Sequence, residues 1–492
     1  MSRAKPRFNL RLSGVLKVLI VLFWLILASL LVQRIHLIPE LTIPEAENLP
    51  DSEEWMSVIF KGQKIGYSYQ ALTWVESGYS LDQKAYLRLN LMGDIQEVRT
   101  VISAQLTKSF GLKAFSFFLA AGPVRYQLAG TLTGLDLELI SATGGYQNKS
   151  RIQLKEVPRL AAALIPYLTQ KGLEKGQRFK VPLFDPSTTA AREVVVVVED
   201  KEKIPVEGRL VDTLRLRQDY ADIQVFAWVD GQGRIVKQDG LLGFSLVRTT
   251  ADQATAGLTG RAELTDVIVA TSAPADREVN DPRRASFLKA RLKGVDLKGL
   301  DLDGGRQSLQ GDTVEIRKEE ITRDRERRVA PADRRFKVHL MPDQFIQSDD
   351  AAVQTRARSL AGGTGPLTAV ERVNDWVYKN LDKRPTMSVP NAVQTLETKV
   401  GDCNEHAVLA AALLRALGVP AKVCVGLLYF QGRFYYHAWL EVYYGQWLAI
   451  DPLLGQAPAD ATHIRLLTGG LNRQAELIRV IGRLEVEILA VE

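Results

Sequence analysis

The chain is poor in cysteine and histidine, the residues that most often supply nucleophiles, general bases and metal ligands. Its 492 residues include two cysteines and five histidines. No cysteine precedes Cys403, and no histidine lies between His36 and His339. The long central part of the chain therefore offers neither a thiol nor an imidazole for catalysis. The sequence shows no group of Cys and His residues with metal-ligand spacing.

A basic surface able to bind nucleic acid is also missing. The net charge is +6, and residues 1–34 alone carry six basic residues and no acidic residue. The six are Arg3, Lys5, Arg7, Arg11, Lys17 and Arg34. The rest of the chain is therefore neutral in sum, which argues against nucleic acid as a partner.

One long apolar run is present, near the N-terminus. Residues 12–32 contain a single charged residue, Lys17. About 20 apolar residues span a bilayer, and the basic flank predicts that the N-terminus stays cytoplasmic. We expect residues 1–34 to form a cytoplasmic tail and an uncleaved single-pass anchor in the inner (plasma) membrane, with the bulk of the chain periplasmic or extracytoplasmic. The alternatives are a buried helix and a cleaved signal peptide, although no convincing small-x-small cleavage site follows the run.

Composition divides the rest of the chain into segments and predicts the α+β class. Residues 55–270 contain short runs rich in β-branched and aromatic residues, which predicts a large, mainly antiparallel β region of one or two accessory domains. The other segments are a proline-containing linker (35–54), a charged and partly strand-forming connection (271–347), a mixed domain (348–470) and a C-terminal strand extension (471–492).

Residues 348–470 carry four predicted helices. One helix ends at the pair Gly362-Gly363, and a second is predicted to begin with a capping box from Thr368 to Glu371. A short third helix follows. The fourth is predicted to begin directly after Asp402, which is a favourable N-cap residue, and Glu405 follows three positions later.

Cys403 then occupies the first position of the fourth helix. The unpaired N–H groups of a helix start favour a thiolate over a thiol, so we expect a lowered pKa for this side chain. The same N–H groups can receive the oxyanion of an attacked carbonyl. Cys424 lies within an apolar strand, where we expect a buried, inert side chain and no disulfide with Cys403.

A base and a carboxylate follow on two further strands. His437 lies on the middle strand of a predicted three-stranded antiparallel unit, and Asp451 lies at the end of the third strand. A thiol attacks an acyl group efficiently when an imidazole accepts its proton, and a carboxylate can hold that imidazole in the correct tautomer.

These residues resemble the transglutaminase-like superfamily, in its bacterial branch. The resemblance lies in Gly401-Asp402-Cys403 with Glu405 and in three blocks that follow in order: "LLRALGVPAKVCVG", "HAWLEV" and "WLAIDP". It implies a papain-like α+β core over about residues 350–470. It further implies Cys403 as nucleophile, His437 as base and acid, and Asp451 as the residue that orients His437.

The resemblance implies chemistry on an amide through an acyl-enzyme, with no cofactor and no metal. We expect a membrane-anchored thiol enzyme with a protein or peptide substrate, in which water or an amine resolves the intermediate. The alternative is a non-catalytic envelope scaffold whose transglutaminase-like domain binds a partner peptide. We interpret His406 and His463 as structural, because the triad already contains an imidazole. The oligomeric state stays open.

Strand pairing places a condition on the triad. A two-residue hairpin loop at residues 445–446 would put His437 and Asp451 on opposite faces of the sheet. A three-residue loop over 444–446, with Gly445 supplying a positive φ, would pair Asp451 with Trp439 instead. We therefore predict this second register, with the Asp451 carboxylate hydrogen-bonded to His437.

Overall fold

The structure is a computed structural model. It describes residues 49–492 except positions 123, 144–145, 171, 221–222, 241, 259–263, 331–332, 386–390, 470–472 and 474. The predicted anchor at residues 12–32 and its basic flank lie outside the described residues. Within the described part, every helix is too short or too polar to cross a bilayer.

Strands dominate the described chain. They are β1 (Ser52–Phe60), β2 (Gln63–Val75), β3 (Gly78–Leu91), β4 (Asp94–Leu106), β5 (Leu112–Ala121), β6 (Val124–Thr133), β7 (Asp136–Thr143), β8 (Tyr146–Gln153), β9 (Arg178–Asp185), β10 (Ala190–Val206), β11 (Arg209–Tyr220), β12 (Ile223–Val229), β13 (Ile235–Asp239), β14 (Phe244–Thr249), β15 (Ala273–Pro274), β16 (Phe287–Lys293), β17 (Gln307–Gln310), β18 (Thr313–Arg317), β19 (Asp382–Lys383), β20 (Val400–Gly401), β21 (Ala421–Phe430), β22 (Arg433–Tyr443), β23 (Trp447–Ile450), β24 (His463–Thr468) and β25 (Glu485–Val491).

The helices are short before residue 351 and longer after it. The α-helices are α1 (Leu164–Thr169), α2 (Ala251–Thr255), α3 (Val267–Thr271), α4 (Lys337–Leu340), α5 (Ala351–Ala361), α6 (Pro366–Asn380), α7 (Ala392–Thr398) and α8 (Cys403–Ala416). Single 3-10 turns span Ala161–Ala163, Pro282–Arg284, Arg323–Arg325, Arg334–Phe336 and Ala475–Arg479.

The first fourteen strands form one antiparallel sheet, as expected for a large β region. Its order runs from β8 back to β1, and then from β14 back to β9. The two halves meet where β1 pairs with β14. Residues alternate between buried and exposed along β6, which is the pattern of a strand with one face on a core. The helix α1, in the connection from β8 to β9, buries Leu164 and Leu168 in that core.

A second sheet carries the region with the triad residues. Its order is β15-β22-β21-β24, and β23 pairs with β22. A third sheet, of order β17-β18-β16-β25, joins strands of the connecting segment to the C-terminal strand. The helix α8 lies between the second sheet and helices α5, α6 and α7, and all of its residues from Glu405 to Arg415 are buried.

The predicted start of the second long helix is wrong. The helix α6 begins at Pro366 with Gly365 as its N-cap residue, so Thr368 lies inside the first turn. Proline suits the first helical position because its φ is already helical and its missing N–H needs no partner. The Leu367 N–H donates instead to Glu326 Oε1 at 2.9 Å. A carboxylate 41 residues earlier in the chain thus replaces the local cap.

The predicted strand register is confirmed. Tyr443 pairs with Trp447, and the pairing continues to Leu440 opposite Ile450. The intervening loop therefore has three residues, and its Gly445 has φ +133°. A Cβ at this glycine would lie 1.6 Å from the Arg325 carbonyl oxygen, so a passing backbone segment also requires glycine here.

Candidate active site

Cys403 lies at the start of α8, as the sequence predicts. Asp402 is the N-cap residue, and its Oδ1 accepts the Asn404 N–H at 2.9 Å. Glu405 completes the capping box, since its Oε2 accepts the Asp402 N–H at 2.9 Å. This reciprocal pair fixes the direction in which the helix starts. The Cys403 side chain is half-buried and is a free thiol.

The thiol lies against a gap in the edge of β22. Strand β15 pairs with this edge at Arg433 and Phe434, and β23 pairs with it from Leu440 onward. Between them, no strand of the described chain covers the edge. The Ala438 N–H in this gap faces the Cys403 thiol and opposes the rise in the thiol pKa that burial causes. The nucleophile predicted from the sequence therefore lies beside the residue that follows His437.

His437 and Asp451 meet on the same side of β22. The His437 Nε2 lies 2.8 Å from Asp451 Oδ2. The other carboxylate oxygen of Asp451 accepts the N–H groups of Leu453 and Leu454 at 2.8 and 3.0 Å. Asp451 is fully buried and His437 is nearly so. Because a carboxylate only accepts hydrogen bonds, Nε2 of His437 carries a hydrogen.

The three predicted residues are not joined into one hydrogen-bonded chain. The structure brings His437 and Asp451 together, and it brings Cys403 to the backbone of Ala438. Among the described residues, however, no hydrogen bond links the Cys403 thiol to the His437 ring. The two residues stand on elements that pack against each other, α8 and β22.

Sequence reasoning missed the environment of His463. This histidine opens β24, and its Nε2 lies 3.0 Å from Asp451 Oδ2, the oxygen that also receives His437. Its Nδ1 faces Asp460, at 3.1 Å from the carbonyl oxygen and 3.2 Å from Oδ1. The Trp439 ring packs edge-on against His463 and parallel to His437. The only signal in the sequence was the proximity of Asp460 and His463 after Asp451.

The acidities of these groups follow from burial and from their partners. Burial raises the pKa of the Cys403 thiol well above its usual value, and the Asp402 and Glu405 carboxylates add to this rise. The expected lowered thiol pKa is therefore wrong for this arrangement. Burial would also raise the pKa of Asp451, but His437 and His463 outweigh it and hold that pKa well below the usual range. Burial lowers the pKa of His406 to about 4.

The other histidine and cysteine of the domain are buried. The His406 Nδ1 lies 2.7 Å from the Asp402 carbonyl oxygen, so this ring braces the start of α8. Cys424 is fully buried beside Trp439, as expected, and it is also a free thiol. Burial raises its pKa well above the usual value.

One group among the described residues has the spacing of a metal site. The ligand atoms of His437, Asp451 and His463 lie within 4.8 Å of one another. The hydrogen bonds of 2.8 and 3.0 Å to Asp451 account for this spacing without an ion. The family chemistry described above also needs no metal.

Comparison with known proteins agrees with the resemblance to the transglutaminase-like superfamily. Residues 354–452 match the sequence profile of the transglutaminase-like superfamily. No curated protein matches the chain in sequence.

Several solved structures resemble part of this chain. One is a candidate cysteine protease from Cytophaga hutchinsonii, with 18% identity and a TM-score of 0.29, over 42% of this chain and 87% of the other. Another is the periplasmic domain of TgpA from Pseudomonas aeruginosa, with 17% identity and a TM-score of 0.24, over 38% and 84%. A β-barrel-like protein of unknown function from Brucella abortus has 11% identity and a TM-score of 0.32, over 42% and 98%.

All of these TM-scores are low, so the assignment depends on the sequence match and on the residues that carry it. The matched range contains Cys403, His437 and Asp451, together with the capped helix and the paired strands that hold them. The chain therefore carries, at residues 354–452, a domain of the transglutaminase-like superfamily.

Proposed function

We propose that this protein is a membrane-anchored thiol enzyme that cleaves or transfers an amide of a protein or peptide through an acyl-enzyme on Cys403. One observation carries the proposal. The His437–Asp451 hydrogen bond of 2.8 Å fixes an imidazole on the strand whose next residue, Ala438, acts on the thiol through its N–H. A buried carboxylate that orients a histidine beside a helix-start thiol is the arrangement that acyl transfer requires.

The reaction begins with a neutral thiol on Cys403 and a neutral imidazole on His437. Because the thiol pKa is raised, Cys403 rests as a thiol, and His437 accepts its proton on Nδ1 as Sγ attacks the amide carbonyl. Asp451 stabilises the resulting imidazolium through Nε2. His437 then protonates the leaving amine, and the carbon–nitrogen bond breaks to give a thioester. Water or a second amine then attacks the thioester and gives a proton to His437. The carbon–sulfur bond breaks, His437 returns the proton to Sγ, and the acyl group leaves as a carboxylic acid or a new amide.

The helix start supplies a donor for the oxyanion. The Asn404 N–H already donates to the Asp402 side chain, and the His406 N–H donates to the Asp402 carbonyl oxygen. Within the described residues, the Cys403 N–H has no such partner. It is therefore the backbone donor that a tetrahedral intermediate on Cys403 would use.

The membrane placement belongs to the same proposal. The run of residues 12–32 would anchor the chain in the inner membrane, and the basic residues before it would stay in the cytoplasm. The catalytic domain would then act on envelope proteins or peptides outside the cytoplasm. Its neutral body does not attract nucleic acid.

Active-site labelling tests the enzyme assignment. The full chain in detergent is treated at pH 7 with iodoacetamide or with a peptide that carries a thiol-reactive electrophile, and the labelled cysteine is identified by mass spectrometry. We expect labelling at Cys403, its loss in Cys403→Ser, and unchanged labelling in the matched control Cys424→Ser. A His437→Gln variant should label far more slowly. If folded wild-type protein takes up no label, the non-catalytic scaffold becomes the better assignment.

A further inference from the structure

Both ring nitrogens of His463 face groups that only accept hydrogen bonds. Its Nε2 lies 3.0 Å from Asp451 Oδ2, and its Nδ1 lies 3.1 and 3.2 Å from the carbonyl and Oδ1 of Asp460. A carbonyl oxygen and an ionised carboxylate have no hydrogen to donate. A neutral imidazole has only one N–H, so one of its nitrogens would oppose a lone pair. The contacts therefore favour the doubly protonated, cationic ring.

The charged groups that face His463 can be assigned to ion pairs. From the loop before β24, Asp460 binds Arg283, with 3.0 Å between Nη1 and Oδ2. Arg306 donates to the Asp460 carbonyl at 2.8 Å and pairs with Glu319. On β22, the facing side chains are His437 and the uncharged Trp439. Among the described residues, the cationic partners of Asp451, on the segment after β23, are His463 and, when it is protonated, His437.

Two imidazoles thus compete for the charge of one buried carboxylate. Opposite charges in contact stabilise each other strongly where water is excluded. If His463 were neutral, the full charge of Asp451 would favour a proton on His437 and would remove the lone pair that a general base needs. A cationic His463 already offsets that charge.

We propose that His463 is a positioning residue that, as a buried imidazolium, balances Asp451 and so keeps His437 in its neutral, proton-accepting form in the resting enzyme. The inference rests on the proposed function, because His437 matters as a base only if Cys403 is the nucleophile. The direction of the His463 pKa agrees with it. Burial alone would lower that pKa, but the hydrogen bonds to Asp451 and Asp460 outweigh burial and raise it.

The first test is the pH dependence of Cys403 alkylation in the full chain, measured by mass spectrometry. In His463→Gln, a neutral amide replaces the cation while Cys403, His437 and Asp451 are unchanged. We expect the acid limb of the alkylation profile to move to higher pH by about one to three units, the size of the effect of one neighbouring charge. His339→Gln, at a histidine on α4 whose ring packs edge-on against Trp447, is the matched control and should leave the limb in place. If the alkylation rate falls equally at every pH and the acid limb does not move, the role of His463 is merely structural, and the proposal is overturned.

The second test needs no variant and no activity. In wild-type protein labelled with ¹⁵N in the histidine rings, the His463 nitrogens are observed at pH 7. Two protonated nitrogens are the expected result, and one protonated nitrogen would overturn the proposal. This measurement decides the matter if His463→Gln fails to fold. It also separates the two hypotheses, because absent Cys403 labelling would refute the enzyme while the ring nitrogens still report the charge of His463.

Discussion

Asp451→Asn is the substitution that most directly probes the site. Asp451 accepts four hydrogen bonds: two from the His437 and His463 rings, and two from the Leu453 and Leu454 N–H groups. An asparagine can keep the two backbone bonds through its oxygen. Its NH₂ group would then point at two ring N–H groups, and both charge-assisted bonds would be lost.

The magnitude follows from those two bonds. A hydrogen bond to a charged group contributes about 1.5–3 kcal/mol, so Asp451→Asn should lower the free energy of unfolding of the domain by about 3–6 kcal/mol. The rate of Cys403 labelling should fall by about 10²–10⁴-fold, because His437 is no longer held as a base.

Thermal unfolding of the full chain and the kinetics of Cys403 labelling measure the two effects separately. Glu319→Gln is a suitable control, because it also neutralises a partly buried carboxylate, whose partners among the described residues are Arg306 and the Ala449 N–H and not an imidazole. It should destabilise the protein without slowing the labelling of the folded fraction. Labelling of folded Asp451→Asn at the wild-type rate would refute the assignment of Asp451 as the orienting residue.

Three further predictions concern the hairpin, acid stability and topology. Gly445→Ala places a Cβ 1.6 Å from the Arg325 carbonyl oxygen, so it should disturb the hairpin register and lower the free energy of unfolding by about 2–4 kcal/mol. Faster hydrogen exchange over residues 440–451 would report the disturbance, and unchanged exchange would contradict the prediction. The pKa of Asp451 is lowered in the folded chain, so this residue stabilises the fold fully above its unfolded-state pKa of about 4, and the stabilisation is lost as the pH falls. Urea titrations from pH 6 to 3 should show a falling free energy of unfolding. The fall with pH should be less steep in Asp451→Asn. A protease added outside spheroplasts should digest the chain beyond about residue 36 and leave a short protected anchor, whereas protection of the whole chain would refute the topology.

Local sequence rules predicted the parts of the site that local structure determines. The capping box at Asp402 and Glu405 needs only four consecutive residues, and the structure contains it. The register of the hairpin followed from a parity condition, since only an odd loop puts His437 and Asp451 on one face. Both are short-range features.

The errors share a different cause, which is contact between distant parts of the chain. The start of α6 depends on Glu326, and no pattern near Thr368 reveals that carboxylate. The raised pKa of Cys403 depends on burial, which the helix start alone does not specify. The place of His463 depends on β24 pairing with β21, which brings the ring to Asp451 from the opposite edge of the sheet.

The join between β1 and β14 has a consequence for how the molecule forms. Every other neighbouring pair in the fourteen-stranded sheet is consecutive in the chain, so each half can assemble as a series of local hairpins. The pairing of Trp55 with Thr249 instead closes a loop of 249 − 55 = 194 residues. The length-dependent part of the entropic cost of such a closure is about 5 kcal/mol. We expect the two halves to fold first and the seam between β1 and β14 to form last, as the slow step of the sheet. Until it forms, both strands present unpaired edges, and the nascent sheet is most exposed to aggregation at that stage.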